Sequence, residues 1–377
     1  MKVAFVTNLC AHYRYKLFRL LSTEYGFDFY FFDNKKQTKE DVKHLTMFKD
    51  DKFLESSALG ILRRLRQTRY DVIIKCTNNK WVFLGCFIIA KVIKAKLVVW
   101  HTVWYYPDTI QYKFFLSRLL MVILNNYTDA IVVYGEHGKK FLTDKGVKKE
   151  KIFIAWQTVD NDLFGREVSH NEIDSITNKL KLQKDKKIIL YVGRLIRLKG
   201  IEILLKSLRC LKDSKKAFTM LFCGDGDMRK EITEYCIKEN IEYRITGLIP
   251  YHELPVYYKI ARVLVLPSIT TKTLKEAWGL VVNEAFNQGC PAIVTDAVGA
   301  GVGGLIKDGE NGYLIPEGNV KELTNALNSI LEDDAIYQKM CLNALEEIKE
   351  WNYERQVKGF LDAIEYSSAE KRVKSER

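Results

Sequence analysis

The sequence predicts an α/β fold of two doubly wound parallel sheets in series, and three observations predict it. The chain has 377 residues, about two to three times a typical single domain, so two domains are expected. Short apolar runs rich in Val, Ile, Phe and Tyr recur with helix-like segments between them, as strands buried on both faces of a parallel sheet require. Hydrophobic residues make up 47% and charged residues 28%, with six prolines and no repeating tract, which excludes a mainly disordered, collagenous or solenoid chain.

In the first half the strand-like runs are Val3–Thr7, Phe27–Phe32, Val72–Lys75, Leu97–Trp100, Ala130–Tyr134 and Ile152–Ala155. A second series comprises Ile188–Val192, Thr219–Cys223, Tyr243–Thr246, Val263–Leu266 and Ala292–Thr295. They define domains over residues 1–165 and 180–349, with the loop Asp160–Asn178 and the lysine-rich stretch Lys179–Lys187 as the linker. The tail, residues 350–377, reads as polar, partly amphipathic helix that packs back on the first domain through Trp351, Tyr353, Phe360 and Ile364. Ligands of doubly wound sheets bind outside the carboxyl ends of the strands, so functional residues are expected on loops that follow strands.

The formal charge of +12 is unevenly placed: residues 1–180 carry 29 Lys and Arg against 19 Asp and Glu, and residues 181–377 carry 30 against 28. A basic first half suits a polyanionic partner, either nucleic acid or an anionic membrane face, although a merely solvated basic face has the same composition. The eight cysteines never form the CxxC pairs of zinc or dithiol sites, and Cys76 and Cys223 fall inside apolar runs. They read as reduced core residues of a cytoplasmic protein. MKVAFVTN has no long apolar stretch of a signal peptide, and the greasy run from Trp81 to Ile93 is interrupted by Lys91. That run is shorter than the ~20 apolar residues that span a bilayer.

Chemistry-bearing residues concentrate in the second half. The run Ile188–Val192 leads into Gly193-Arg194-Leu195-Ile196-Arg197-Leu198-Lys199-Gly200 and then a helix of apolar periodicity. Glycine permits the sharp turn, and Arg and Lys beside a helix start can hold phosphate, although the same segment alone could be a basic surface turn. Further on, Val263–Leu266 leads to Pro267-Ser268 and then to Glu276-Ala277-Trp278-Gly279-Leu280-Val281-Val282-Asn283-Glu284. Were that stretch wholly helical, the two glutamates would lie ~12 Å apart along the axis. That is too far for the ~5–9.5 Å of a hydrolase carboxylate pair. The spacing suits a ligand with hydroxyls at both ends and phosphate between, such as a nucleotide sugar, with free amides near 278–280 facing the diphosphate. Alone, a Glu pair at this spacing is common.

The order of the segments decides more than any one of them. GRLIRLKG, LFCGDGDMR, ITGLIPYHELPVYY, VLVLPS, KEAWGLVVNEAFNQGCPAIVTD and DGENGYLIPEGN together resemble the C-terminal half of the retaining glycosyltransferases of family 4. The block from Ala130 to Phe164 resembles the family more loosely. The resemblance implies the GT-B fold, two Rossmann-like domains facing across a cleft, and a nucleotide-sugar co-substrate. It also implies that Arg194 and Lys199 grip the donor diphosphate, that Glu276 meets the transferred sugar and Glu284 the ribose, and that Gly193, Gly224, Gly226, Gly279 and Leu280 line the donor. Trp278 and the loop Gly247–Pro250 are candidates for donor choice.

Gly299-Ala300-Gly301-Val302-Gly303-Gly304 satisfies GxGxxG, but a further turn rather than a long helix follows, so no dinucleotide site is expected. Asp225-Gly226-Asp227 and Asp160-Asn161-Asp162 imitate a DxD metal motif. The family has a glycine-rich turn at the first, so no cofactor and no essential metal are expected, Arg194 and Lys199 supplying the positive charge. In the first half His101 follows a strand and is placed to meet the sugar or the β-phosphate, with a structural histidine as the alternative. His137 is a weaker candidate. The loop Asn8-Leu9-Cys10-Ala11-His12-Tyr13-Arg14 departs from the family's glycine-rich loop and is assigned to the acceptor.

Arg63, Arg64, Arg66 and Arg69 beside Leu62 and Leu65, with Lys91, Lys94 and Lys96 around the greasy run, suggest a peripheral enzyme on the inner, anionic face of the cell membrane. Phe114–Leu124 adds apolar surface, or core helix. A lipid-linked glycan is the expected acceptor, and nucleic acid is not an expected partner. Two rivals remain: a sugar-nucleotide epimerase of the same fold, which needs no acceptor, and a basic nucleic-acid-binding protein, which leaves the motif-rich second half unexplained.

Overall fold

The computed structural model describes residues 1–32, 53–55, 57–106, 117–213, 217–272 and 274–375. Its described residues form two compact units. The first takes the chain up to Trp104, the stretch ending at Trp156 and the helix that begins at Tyr353; the second takes Gln157–Asn352 with Tyr105 and Tyr106.

In the first unit the strands are β1 (Val3–Thr7), β2 (Asp28–Phe31), β3 (Phe53–Glu55), β4 (Val72–Cys76), β5 (Lys96–Trp100), β6 (Ala130–Val133) and β7 (Ile152–Ile154). The helices are α1 (Tyr15–Tyr25), α2 (Ala58–Thr68), α3 (Lys80–Ile93), α4 (Ser117–Asn126) and α5 (Glu136–Asp144). The seven strands lie in the order β3-β2-β1-β4-β5-β6-β7, with every pairing parallel. Side chains alternate along a strand, so each face takes every second residue. Ala4, Val6, Ile73, Leu97, Val99, Ile131 and Val133 meet the inner residues of α2 to α4. The other face is aromatic: Phe5 stacks on Phe29 at 5.1 Å, and Phe360 lies 5.7 Å from Phe5 and 5.5 Å from Trp100. Phe360 belongs to the long C-terminal helix, Tyr353–Ser375, which lies along β5, β6 and β7.

In the second unit the strands are β8 (Lys187–Val192), β9 (Phe218–Cys223), β10 (Tyr243–Ile245), β11 (Val263–Leu266), β12 (Ala292–Thr295) and β13 (Gly312–Ile315), in the order β10-β9-β8-β11-β12-β13 and again parallel. Its helices are α6 (Asn161–Phe164), α7 (His170–Lys179), α8 (Ile201–Asp213), α9 (Arg229–Lys238), α10 (Leu254–Ile260), α11 (Val281–Phe286), α12 (Gly299–Val302), α13 (Val320–Glu332) and α14 (Asp334–Lys349), which leaves α15 for Tyr353–Ser375. One core joins Ile189, Tyr191, Met220, Phe222, Val263 and Val265 to Leu204, Leu205 and Leu208 of α8 and to Leu323, Leu327 and Ile330 of α13. Each such buried leucine contributes about 1.5–3 kcal/mol.

Two readings of the sequence need correction. Half of the expected linker is helix: α6 starts at the Asp160 cap, and α7 starts with a capping box in which Ser169 Oγ accepts from the Glu172 amide while Glu172 reaches back to Ser169. Ser-x-x-Glu is a helix-start signature, and both helices belong to the second unit. The edge strands β3 and β13, three and four residues long, escaped the sequence reading. Residues 114–116 of the greasy segment Phe114–Leu124 lie outside the described residues, and the remainder begins α4.

Candidate active site

The second sheet reverses its direction of growth between β8 and β11, and such switch points are where open α/β sheets bind ligands. The loop after β8 carries Gly193, Arg194 and Lys199; the loop after β11 carries Ser268 and Glu276. These two loops meet. Lys199 Nζ lies 2.5 Å from Glu276 Oε2, and the side chains are only 14% and 18% exposed. Ser268, fully buried, donates through Oγ to the same carboxylate oxygen at 3.3 Å, and its own carbonyl accepts from Thr295 Oγ1 at 2.5 Å. Arg194 is exposed and enters no ion pair among the described residues; its carbonyl accepts from the Tyr191 hydroxyl at 2.7 Å.

A tight backbone lies beside this pair. The Gly193 amide donates to the Cys223 carbonyl and the Leu195 amide to the Asp225 carbonyl, both at 2.9 Å, so the turns after β8 and β9 stay zipped beyond the strands. Gly224 sits at φ +153°, and a Cβ there would lie 1.9 Å from the Gly193 carbonyl oxygen; glycine alone fits. Gly226 completes the turn, its amide donating to Asp225 Oδ1.

The glutamates are not joined by one helix. Glu276 pairs as an isolated parallel bridge with Val298, Gly279 turns the chain at φ +100°, and α11 starts only at Val281. A separation along a common helix axis therefore does not apply. Leu280 forms the cap, its carbonyl accepting from the Glu284 amide at 3.0 Å. Glu284 is buried and accepts a hydrogen bond from the Tyr258 hydroxyl at 2.5 Å. Burial pushes its carboxyl up to about 7, against which the Tyr258 bond pulls down.

Trp278 also differs from its sequence reading as a donor-selecting wall. Its indole is 3% exposed, donates to Asn283 Oδ1 at 2.7 Å and lies 5.4 Å from the Trp351 ring. Asn283 in turn donates to the Gln157 carbonyl at 3.1 Å. Ring and amide form an inward network that fixes the 276–284 segment. The loop Gly247–Pro250 exposes Leu248.

The remaining candidate, His101, lies in the first unit. It follows β5, its amide donates to the Val132 carbonyl at 2.8 Å, and burial lowers its imidazole to about 4. The ring is neutral at pH 7. His137, in α5, is buried edge-on to Trp104 at 5.0 Å. At the carboxyl ends of β1 and β4 Asn78 Nδ2 donates to Asn8 Oδ1 at 2.6 Å, and the fully buried Lys75 Nζ donates to the Asn78 carbonyl and to Asn78 Oδ1.

Residues 172–350 match the family model described as glycosyl transferases group 1. Over that segment, just under half of the chain, it carries the pattern of the group 1 glycosyltransferases. It is 28% identical over 282 residues to an uncharacterised 41.2 kDa protein in the cps region of Klebsiella pneumoniae, covering 73% of this chain and 74% of that protein. It is 22% identical over 310 residues to the alpha-D-kanosaminyltransferase of Streptomyces kanamyceticus, covering 77% and 76%. In fold it is similar to Anabaena HepE, solved in complex with UDP-glucose, with a TM-score of 0.72, 17% identity, and 98% and 100% of the chains covered. The fold is thus that of the GT-B glycosyltransferases.

Aspartates of the two DxD-like stretches have structural partners. Asp225 accepts from Gly226 and pairs with Arg229 at 3.4 Å, and Asp160 caps α6. Among the described residues no group of three His, Cys, Asp or Glu side chains is arranged to hold a metal ion. GxGxxG falls on the four-residue α12. None of the eight cysteines is in a disulfide, and six of them are buried. Among the described residues no helix is long and apolar enough to cross a membrane.

Sequence reasoning missed three residues around the pair. Ser268 was legible as the polar residue ending VLVLPS. Tyr258, 26 positions before Glu284, has no local signal. Glu317 holds the glutamate-bearing loop by accepting from the amide and, at 2.7 Å, from the hydroxyl of Thr270; 47 residues separate them, so only the fold brings them together.

Proposed function

We propose that this glycosyltransferase moves a hexose-type sugar from a nucleotide-sugar donor to a glycan acceptor with retention of the donor's anomeric configuration and without an essential metal ion. The observation that carries the reading is the half-buried pair of Lys199 and Glu276 at the switch point of the second sheet. At rest the two charges partner each other, since neither stays so shielded alone, and a nucleotide sugar can replace both partners: phosphate for Lys199 and Arg194, and sugar hydroxyls for Glu276. Glu284 takes the ribose. The glycine turns at 193, 224 and 226 let backbone amides come close to the diphosphate. The UDP-glucose complex of HepE and the activity for which the kanosaminyltransferase is named support a donor of this class.

The acceptor hydroxyl approaches C1 on the face the diphosphate leaves. The new C1–O bond forms as the C1–O bond to the β-phosphate breaks, and the hydroxyl proton passes to the departing phosphate oxygen. Lys199 and Arg194 stabilise the charge that develops there, and His101, neutral, donates to a sugar hydroxyl. The acceptor is a lipid-linked glycan at an anionic membrane face, in cell-surface polysaccharide, lipopolysaccharide or glycoprotein glycan synthesis. The relative in the cps region is consistent with such a setting.

Thermal shift against UDP-glucose, UDP-galactose, UDP-N-acetylglucosamine and GDP-mannose tests the donor, and the product's anomeric configuration by NMR tests retention. One donor should stabilise the wild type and not Lys199→Met or Glu276→Gln. No stabilisation by any donor, or donor isomerised with no acceptor present, would overturn the reading; turnover abolished by chelator and restored by Mn²⁺ would overturn metal independence.

A further inference from the structure

In the first unit α2, α3 and α4 lie side by side on one face of the sheet. Leu62 of α2 lies so close to Gly85 of α3 that a Cβ there would come within 2.5 Å of Leu62 Cδ1. Phe87 of α3 meets Tyr127, just after α4, at 5.7 Å, and Lys91 Nζ donates to the Tyr127 carbonyl at 3.2 Å. The inner side of α3 is apolar as a core helix should be, with Val82, Phe83, Cys86 and Ala90 buried. Its outer side ought to be polar. Instead Trp81, Ile88 and Val92, one stripe at helical spacing, are 72%, 51% and 59% exposed. Leu119 and Val122 of α4 are 49% and 47% exposed, and Leu59 of α2 is 78% exposed.

Charge singles out the partner. The three helices, of 11, 14 and 10 residues, contain no Asp or Glu. Arg63, Arg64, Arg66, Lys80, Lys91 and Arg118 stand exposed among the apolar side chains. A second copy of the chain would set the same unbalanced cations against each other. Nucleic-acid phosphates would answer the cations and leave Ile88, Val92 and Val122 in water. An anionic bilayer answers both, with headgroups for the cations and the acyl boundary for the apolar stripe.

We infer that the outer face of α2, α3 and α4 is the surface by which the enzyme lies on an anionic membrane, with Trp81, Ile88 and Val92 dipping below the headgroups. This deepens the acceptor part of the proposed function. Flotation of the full chain with vesicles of phosphatidylcholine, alone or mixed with phosphatidylglycerol, tests it, with the melting transition and the donor-induced thermal shift read in parallel. Wild type should float with the mixed vesicles only, and lose them in high salt. Ile88→Glu with Val92→Glu, and separately Arg63→Glu with Arg64→Glu, should each lower partitioning at least about tenfold while the melting transition is kept. Should either pair fail to fold, Val92→Ser and Arg63→Gln with Arg64→Gln give the same readout. A blue shift of tryptophan emission on mixed vesicles should vanish in Trp81→Phe. Failure to bind mixed vesicles, equal binding to neutral ones, variants that float like wild type, or a dimer that Ile88→Glu with Val92→Glu dissociates would each overturn it. Donor binding without flotation sinks this surface alone; flotation without any donor shift sinks the sugar-transfer reading alone.

Discussion

The two units share a sheet plan and differ in what they place at its switch point. Each sheet grows outward in both directions from its first strand, β1 beside β4 in one and β8 beside β11 in the other. At the first switch point a buried ammonium, Lys75, spends its donors on its own loop: the Cys76 carbonyl at 2.5 Å, the Asn78 carbonyl at 2.9 Å and Asn78 Oδ1 at 2.8 Å. Burial lowers it to about 8. At the second, Lys199 pairs with a carboxylate from another loop. Topology sets where ligand chemistry can gather; the lysine's partners set whether it is structural or exchangeable.

Four substitutions break or sharpen that contrast. Lys199→Met should lower turnover by about 10²–10³-fold, the range expected for one stabilising group at developing charge, and lower the melting temperature because Glu276 is left shielded without its cation; steady-state kinetics and a melt check both halves. Gly224→Ala, which forces a Cβ onto the Gly193 carbonyl, should cost about 3 kcal/mol or more, read by urea unfolding.

Glu284→Gln tests the buried carboxyl through pH. Because the folded value is raised to about 7 from 4.5, the native state binds the extra proton, and the associated stability is full below about pH 4.5 and is lost as pH rises through 7. The Gln variant has no such loss, so its stability relative to wild type should improve by up to about 3 kcal/mol from pH 4.5 to 8. His101, held down to about 4 by burial, makes both proteins lose stability as pH falls from 6.5, and that cancels in the difference. Lys75→Met is the mildest: about 1–3 kcal/mol of stability for the stranded carbonyls, and less than about tenfold in turnover. Equal loss of turnover in the two lysine variants would erase the contrast.

Much of this was legible in the sequence because parallel strands buried on both faces read as unbroken apolar runs: β11 and β12 fall on the residues expected, and β8 and β9 differ by one at the start. GRLIRLKG and Glu276 announced themselves because their residues are consecutive or close. What stayed hidden is tertiary. The burial of the Trp278 ring, fixed by Asn283 and Trp351, depends on neighbours 5 and 73 positions away. Which residues of the greasy run in α3 face outward stayed hidden as well, since hydropathy records how greasy a helix is and not which side the sheet covers.

The contact between Lys199 and Glu276 has a consequence for discrimination. Each charge cancels the other at rest, so prising them apart strands whichever one the newcomer fails to satisfy. Inorganic phosphate, or a free monosaccharide, answers one side and leaves the other bare. Only a molecule carrying both halves in one covalent frame repays the separation, which, for the proposed donor, makes the resting pair a gate against that donor's own fragments.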